Sequence, residues 1–258
     1  MKPAQKSNLL SNLRFYVLAF SGLLSVAVFA YFRITIQDDQ LLAIRTQQVF
    51  GFLCLAYWYL ALLPSPLSKV VGKEKLRHLA FARRAIGVSA FYFAALHGAI
   101  ALFGQLGGIG NVANLPDVFK WALLAGSGAL IILAAMAATS FDGVVKAMTY
   151  RKWKWLHRFV YFAGVLAIIH VWMIGTHLAY SWVQIVALVA LGVLLALEFF
   201  VLIRTLNRKY LHLARSEAGA LFLTMWAIAM AIILAMPVIV QNYHSRHTEH
   251  NATVRGVE

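Results

Sequence analysis

Two histidines stand where an imidazole is expensive to keep. His97 follows the run Gly87-Val88-Ser89-Ala90-Phe91-Tyr92-Phe93-Ala94-Ala95-Leu96, and His170 follows Tyr161-Phe162-Ala163-Gly164-Val165-Leu166-Ala167-Ile168-Ile169. Polar rings this deep in apolar sequence are functional candidates by default. His97 lies 13 residues after Arg84, and His170 lies 12 after Arg158. If those arginines mark one boundary and both segments are helices running the same way, a rise of about 1.5 Å per residue puts both rings roughly 18–20 Å from it. Two imidazoles at equal depth on parallel helices can reach one planar metal macrocycle from opposite faces. That is the arrangement of a bis-histidine heme b, with His97 and His170 as the axial ligands of the iron.

Two other readings use the same residues. Each histidine could simply hydrogen-bond across a bundle of helices, or the pair could hold zinc. No Cys, Asp or Glu lies at that depth to complete four zinc ligands, and the matched depth of the two rings favours heme over separate hydrogen bonds. His157, in Trp153-Lys154-Trp155-Leu156-His157-Arg158, lies 13 residues before His170. That is roughly 20 Å along a helix, a spacing that suits a second cofactor. On a regular helix, however, 13 steps leave the two side chains roughly 140° apart, unless a π-bulge or tilt intervenes. The level of His157 on the third helix is occupied by Arg83 and Arg84, so an inner heme would need another second ligand. Interfacial anchoring is the alternative for His157. His177 reads as a helix-end residue, Glu198 as half of an ion pair with Arg204 or Arg158, and His244, His247 and His250 as part of a short polar disordered tail.

The elements that must position these residues follow from composition. Hydrophobic residues make up 62% of the 258 and charged residues 12%, against about 45–50% and 25% in soluble domains, which places the chain in the membrane class. Seven segments are long enough to cross about 30 Å of hydrocarbon: Leu13–Ile36, Ala43–Leu63, Ala85–Gly104, Val118–Ala138, Trp155–His177, Trp182–Ile203 and Ala218–Val240. No period-two alternation suggests a barrel. The first run lacks a small-residue cleavage site and is expected to be retained as a helix. Cys54, the one cysteine, reads as a packing residue.

The net charge of +14 comes from clusters between the spans, not from one stripe, so no nucleic-acid partner is expected. Lys2, Lys6 and Arg14 precede the first span. Lys69, Lys73, Lys75, Arg77, Arg83 and Arg84 separate the second and third. Lys146, Arg151, Lys152, Lys154 and Arg158 separate the fourth and fifth, and Arg204, Arg208, Lys209 and Arg215 the sixth and seventh. The alternate loops carry little net positive charge. The positive-inside rule then puts the N-terminus in the cytoplasm and the C-terminus outside, in a bilayer expected to be a bacterial inner membrane. The loops are too short for a flavin- or nucleotide-binding domain, which takes about 100 residues or more. A separate cytoplasmic flavin reductase or a quinol would have to supply electrons.

Several of these residues also carry a resemblance. Arg83-Arg84-Ala85-Ile86-Gly87, Ala90-Phe91 and Leu96-His97 resemble the third-helix motif of the ferric reductase-like transmembrane domain family. Trp153 through Leu156-His157-Arg158-Phe159-Val160-Tyr161, ending in Ile169-His170, resembles its fifth-helix motif. Thr139-Ser140 and the short basic loop into Arg151-Lys152-Trp153 are similar to the heme-binding membrane subunits of periplasmic methionine sulfoxide reductase systems. The likeness covers roughly Val49 to Arg204. It implies a b-type cytochrome that takes electrons on the cytoplasmic side and passes them to an extracytoplasmic partner, either a methionine sulfoxide reductase-like molybdopterin enzyme or, as in other relatives, ferric iron or oxygen. It also implies that His97 and His170 are paired heme ligands and that His157 is a third heme-associated histidine. FMN is associated with the family, though no residue here can be assigned to it. The chain departs from the six-helix pattern by a seventh helix and a histidine-containing tail. It also lacks the second third-helix histidine and the dehydrogenase domain of larger relatives.

The expected architecture is therefore an all-α polytopic membrane bundle, a six-helix ferric reductase-like core plus a seventh transmembrane helix. Residues 1–42 form the N-terminal segment and first span, 43–204 the heme-binding core, and 205–258 the extra span and outer tail. A retinal protein is excluded because the last span, Ala218–Val240, has no lysine for a Schiff base. A cofactor-free scaffold or small transporter is the competing class, and paired broken helices would support a transporter. No internal repeat is evident.

Overall fold

The computed structural model describes the backbone of residues 3–174 and 181–255 and the side chains of residues 13–174, 183 and 185–235. Its α-helices are α1 Pro3–Thr35, α2 Asp39–Leu62, α3 Pro64–Val71, α4 Arg77–Ala99, α5 Asp117–Ala138, α6 Asp142–Ala147, α7 Tyr150–Leu156, α8 Phe159–Ile174, α9 Ser181–Leu206 and α10 Arg215–Arg255. No strand occurs among the described residues. Among the described residues, seven stretches are long and apolar enough to cross a membrane: Leu13–Thr35, Asp39–Val71, Arg77–Gln105, Asp117–Ala138, Tyr150–Ile174, Ile185–Leu211 and Arg215–Ala235. The protein is an all-α polytopic membrane bundle, as the composition requires.

Three local expectations are corrected. The third span starts at Arg77, so Arg83 and Arg84 lie two turns inside α4. Nothing between Arg77 and Ala85 breaks a helix, and arginine is a good helix former. The fifth span is not one helix from Trp155: α7 ends at Leu156, a turn at His157 and Arg158 follows, and α8 starts at Phe159. The tail expected to be disordered is helical, because α10 runs unbroken through Pro237 and His244 to Arg255. Gln241–Arg255 contains no Gly or Pro, so a helix already nucleated in the span can propagate through it.

Two compact units divide the chain, residues 1–170 and 171–258. In the first, α4 buries one face through Ala82, Ala85, Ile86, Ser89, Ala90 and Phe93, the three-and-four spacing of an amphipathic helix. Lipid is as apolar as these side chains, so dispersion and close fit hold such helices together, not flight from water. Phe93 is 0% exposed. Its ring lies 5.3–5.9 Å from those of Phe50, Tyr57 and Tyr92, contacts worth about 0.5–1.5 kcal/mol each beyond area. On α1, Ser21 Oγ lies 3.0 Å from the Tyr57 hydroxyl and 2.8 Å from that of Ser89, and Ser25 Oγ lies 2.6 Å from that of Tyr92. These hydroxyls tie α1 to α2 and α4. Phe15, Leu23, Leu124 and Ile131 lie exposed on the outer faces, as lipid contact demands.

Local signals set the helix ends. Asp38 caps α2 by accepting the Leu41 N–H at 2.6 Å. Gly72, at φ 97°, closes α3 in a conformation that other residues rarely adopt. A π-helical turn, Ile100–Gln105, extends α4, and Pro116 precedes α5. In the second unit Trp226 Nε1 donates to the Gly192 carbonyl at 2.9 Å, joining α10 to α9. Glu217 accepts the Ala214 N–H at 2.8 Å at the start of α10, half of a capping box.

Candidate functional site

His97 is one turn beyond Phe93 on α4, so the packing that fixes Phe93 also fixes the direction of His97. His170 lies near the end of α8. The two rings meet with centroids 6.0 Å apart and planes at 87°. Each is docked against a neighbouring helix. Nδ1 of His97 donates to the Gln47 carbonyl on α2 at 2.8 Å, and Nδ1 of His170 donates to the Ala122 carbonyl on α5 at 2.8 Å. A carbonyl only accepts, so in both neutral rings the proton is on Nδ1 and the lone pair on Nε2. Both docking points lie four residues before a glycine: a Cβ on Gly51 would come within 3.0 Å of His97 Nδ1, and one on Gly126 within 2.7 Å of His170 Nδ1.

These distances test whether the pair suits a metal macrocycle. A metal–imidazole bond is about 2 Å and the ring centre lies about 1.2 Å behind the ligating nitrogen, so two imidazoles on opposite sides of one metal have centroids about 6.4 Å apart. The observed 6.0 Å lies within about half an ångström of that. Backbone carbonyls on Nδ1 are the usual outer partners of metal-binding histidines. Beside the His97 dock, Thr46 Oγ1 and Gln47 Oε1 are buried without a hydrogen-bond partner among the described residues, while Gln47 Nε2 reaches Gln105 Oε1 at 2.5 Å. No group of three or more His, Cys, Asp or Glu is placed to hold a bare metal ion among the described residues. The donor set fits an ion that brings its own equatorial ligands.

His157 is not part of this pair. It sits in the turn between α7 and α8, with its ring 4.2 Å from that of Trp153 and its Nε2 3.5 Å from Thr139 Oγ1. Trp153 Nε1 donates to the Thr139 carbonyl at 3.2 Å, and the Arg84 guanidinium lies over the Trp153 ring at 5.7 Å. Beyond them Asp142 takes Arg14 at 2.9 Å and Arg84 at 2.5 Å. The 140° offset expected between His157 and His170 assumed a continuous helix, and the turn removes that premise. Glu198 is half-buried on α9. His177 lies outside the described residues, as do the side chains of His244, His247 and His250.

Sequence reasoning missed Gln47, Ala122, Gly51, Gly126 and Asp142. One signal was present for the glycines: Gly51 precedes His97 by 46 residues and Gly126 precedes His170 by 44. Each sits inside a helix, where glycine costs about 0.5–1 kcal/mol relative to alanine. Asp142 is the lone acid between Phe141 and Arg158, a signal of ion pairing.

With that geometry in place, comparison with known families adds a finding. Residues 49–168 match the family described as ferric reductase like transmembrane component. The matched segment, 120 of the 258 residues, is similar to members of that family. It runs from α2 into α8, includes Gly51, His97, Gly126 and His157, and stops two residues before His170. Among curated relatives, the chain is 34% identical over 109 residues to the protein-methionine-sulfoxide reductase heme-binding subunit MsrQ of Ralstonia nicotianae, covering 42% of this chain and 48% of the relative. It is 37% identical over 92 residues to MsrQ of Herminiimonas arsenicoxydans, covering 35% and 41%. With MsrQ of Bordetella pertussis it shares 33% over 129 residues, covering 50% and 59%. The chain thus spans about half the length of the curated relatives it matches.

Proposed function

We propose that this protein is a b-type cytochrome subunit that carries electrons across a membrane. On this reading His97 and His170 hold one heme between them, and the 6.0 Å separation of their rings is the observation that carries the proposal. A bound heme would supply a one-electron redox centre. The chain's own residues bring the two rings together, hold each by its Nδ1–H, and surround the pair with apolar helix. Two strong axial nitrogens favour electron transfer over oxygen chemistry.

Electrons enter, in this proposal, from a cytoplasmic flavoprotein or a membrane quinol and leave to an extracytoplasmic acceptor. The relatives' printed name, heme-binding subunit of a protein-methionine-sulfoxide reductase, supports such a reductase as acceptor, with ferric iron as the other class. The basic clusters support an inner-membrane protein with its N-terminus in the cytoplasm. The core proposed for the family fold is residues 43–204, flanked by residues 1–42 and 205–258. His157, packed against Trp153 with the rings tilted by 32°, is assigned to the entry side. A second heme there would need an axial ligand besides His157, and FMN would need contacts from a partner.

The test is a dithionite-reduced minus oxidised absorbance spectrum of the purified protein. Sharp b-type bands are expected, lost in His97→Ala and in His170→Ala and retained in His157→Ala. A folded, colourless protein from heme-replete cells overturns the proposal.

A further inference from the structure

The two docks share one construction. The carbonyl of residue i in an α-helix already accepts the N–H of residue i+4, and its second lone pair is normally shielded by side chains of the following turn. On α2 the residue at i+4 from Gln47 is Gly51, and on α5 the residue at i+4 from Ala122 is Gly126. The missing Cβ opens a notch, and an imidazole edge fills it. A Cβ on Gly126 would lie 2.7 Å from Nδ1, 2.9 Å from Cε1 and 3.1 Å from Cγ of His170. A Cβ on Gly51 would lie 3.0 Å from Nδ1 and 3.2 Å from Cε1 of His97. The first set is closer than real Cβ contacts come, so the ring must move. The second requires a yield of a few tenths of an ångström. Two other helix glycines, Gly22 and Gly87, have nothing within 4 Å of an added Cβ, and Gly164 takes the Trp58 ring at 2.5 Å instead of an imidazole.

We propose that Gly51 and Gly126 are positioning residues, each clearing a backbone carbonyl so that it fixes the tautomer and tilt of one histidine of the pair. The docking stands on the protein's own geometry, and its consequence for a bound heme rests on the function proposed above. Two helix pairs, α2 with α4 and α5 with α8, each deliver one imidazole in the same manner. The acceptor is a main-chain atom, so no side-chain substitution can remove it. Only a side chain at the glycine can close the notch.

The experiment compares Gly126→Ala, Gly51→Ala and Gly87→Ala, with the last as control. In heme-depleted protein, Gly126→Ala is expected to lower the melting temperature when His170 is present and to lose that effect in the His170→Ala background. If Gly126→Ala alone does not fold, recovery of folding in the double variant is the same readout. In heme-loaded protein, the near-perpendicular rings predict a strongly anisotropic low-spin ferric EPR signal. Gly126→Ala is expected to change that signal, raise the midpoint potential through a less basic ligand, and weaken heme binding about 10–100-fold. Gly51→Ala should do the same to a smaller degree, and Gly87→Ala should do neither. Equal melting shifts in both His170 backgrounds, with heme binding and EPR unchanged, overturn the inference. A wild-type protein without heme that still shows the coupling refutes the cytochrome and leaves the notches standing. A cytochrome indifferent to Gly126→Ala refutes the notches alone.

Discussion

Replacing Asp142 with Asn takes away the carboxylate that joins Arg14 of α1, at 2.9 Å, to Arg84 of α4, at 2.5 Å. The Asp142 side chain is 63% exposed, so each pair belongs to the surface class worth about 0.2–1 kcal/mol, and the two together to about 0.4–2 kcal/mol. With the carboxylate gone, two guanidiniums on the order of 6 Å apart repel by about 0.7 kcal/mol in a water-like dielectric. At about 2–4 °C per kcal/mol for a chain of this size, the melting temperature at pH 7 and low salt should fall by several degrees. Salt screens attraction in the wild type and repulsion in the variant, so the gap should narrow in about 0.5 M NaCl, where the Debye length is only a few ångström. Acid should narrow it too. Burial pulls the Asp142 carboxyl up, but the charges and hydrogen bonds of Arg14 and Arg84 outweigh that and hold it below its ordinary value. Its contribution is then complete above the unfolded value of about 4 and is lost as pH falls through the lower folded one. Tryptophan-fluorescence melts in detergent from pH 7 to 3, at two salt concentrations, measure both trends. A gap independent of pH and salt, or no gap at all, refutes the reasoning.

Two further substitutions probe the helix contacts around the site. Gly164→Ala would place a Cβ 2.5 Å from Cζ2 of the Trp58 ring. Overpacking of that kind costs about 1–3 kcal/mol, so the variant should melt lower and recover with Trp58→Leu; full stability in the single variant would show that α8 and α2 can part at no expense. Ser21→Ala leaves the hydroxyls of Tyr57 and Ser89 without their shared partner. It should cost about 0.6 kcal/mol, up to about 1.7, in a detergent unfolding titration, and adding Ser89→Ala should cost less than the two singles summed.

Legibility in the sequence followed the kind of physics involved. The spans were readable because lipid demands about 20 apolar residues whatever they pack against. The approach of His97 to His170 was readable because depth along two parallel helices is one-dimensional counting from Arg84 and Arg158. The two rings meet although α4 begins at Arg77 and the fifth span breaks at His157. The count concerned rise along the helices, whereas the 140° angular argument needs an unbroken helix, a premise that the turn at His157 and Arg158 removes. The carbonyls of Gln47 and Ala122 left no mark at all, since every residue has one, and only the glycines four positions on betrayed them. The partners of Asp142 come from α1 and α4, 128 and 58 residues away, and a lone acid does not say which arginine it meets. The helical run from Gln241 to Arg255 was misread from polarity alone, when the absence of Gly and Pro was the better guide.

Both imidazoles are anchored to main-chain atoms of neighbouring helices. A centre held this way undergoes little nuclear rearrangement when its charge changes, because the rings cannot swing and the dipoles behind them belong to helices. Low reorganisation is what fast, repeated electron exchange requires, and on the proposed function two absent methyl groups would supply it.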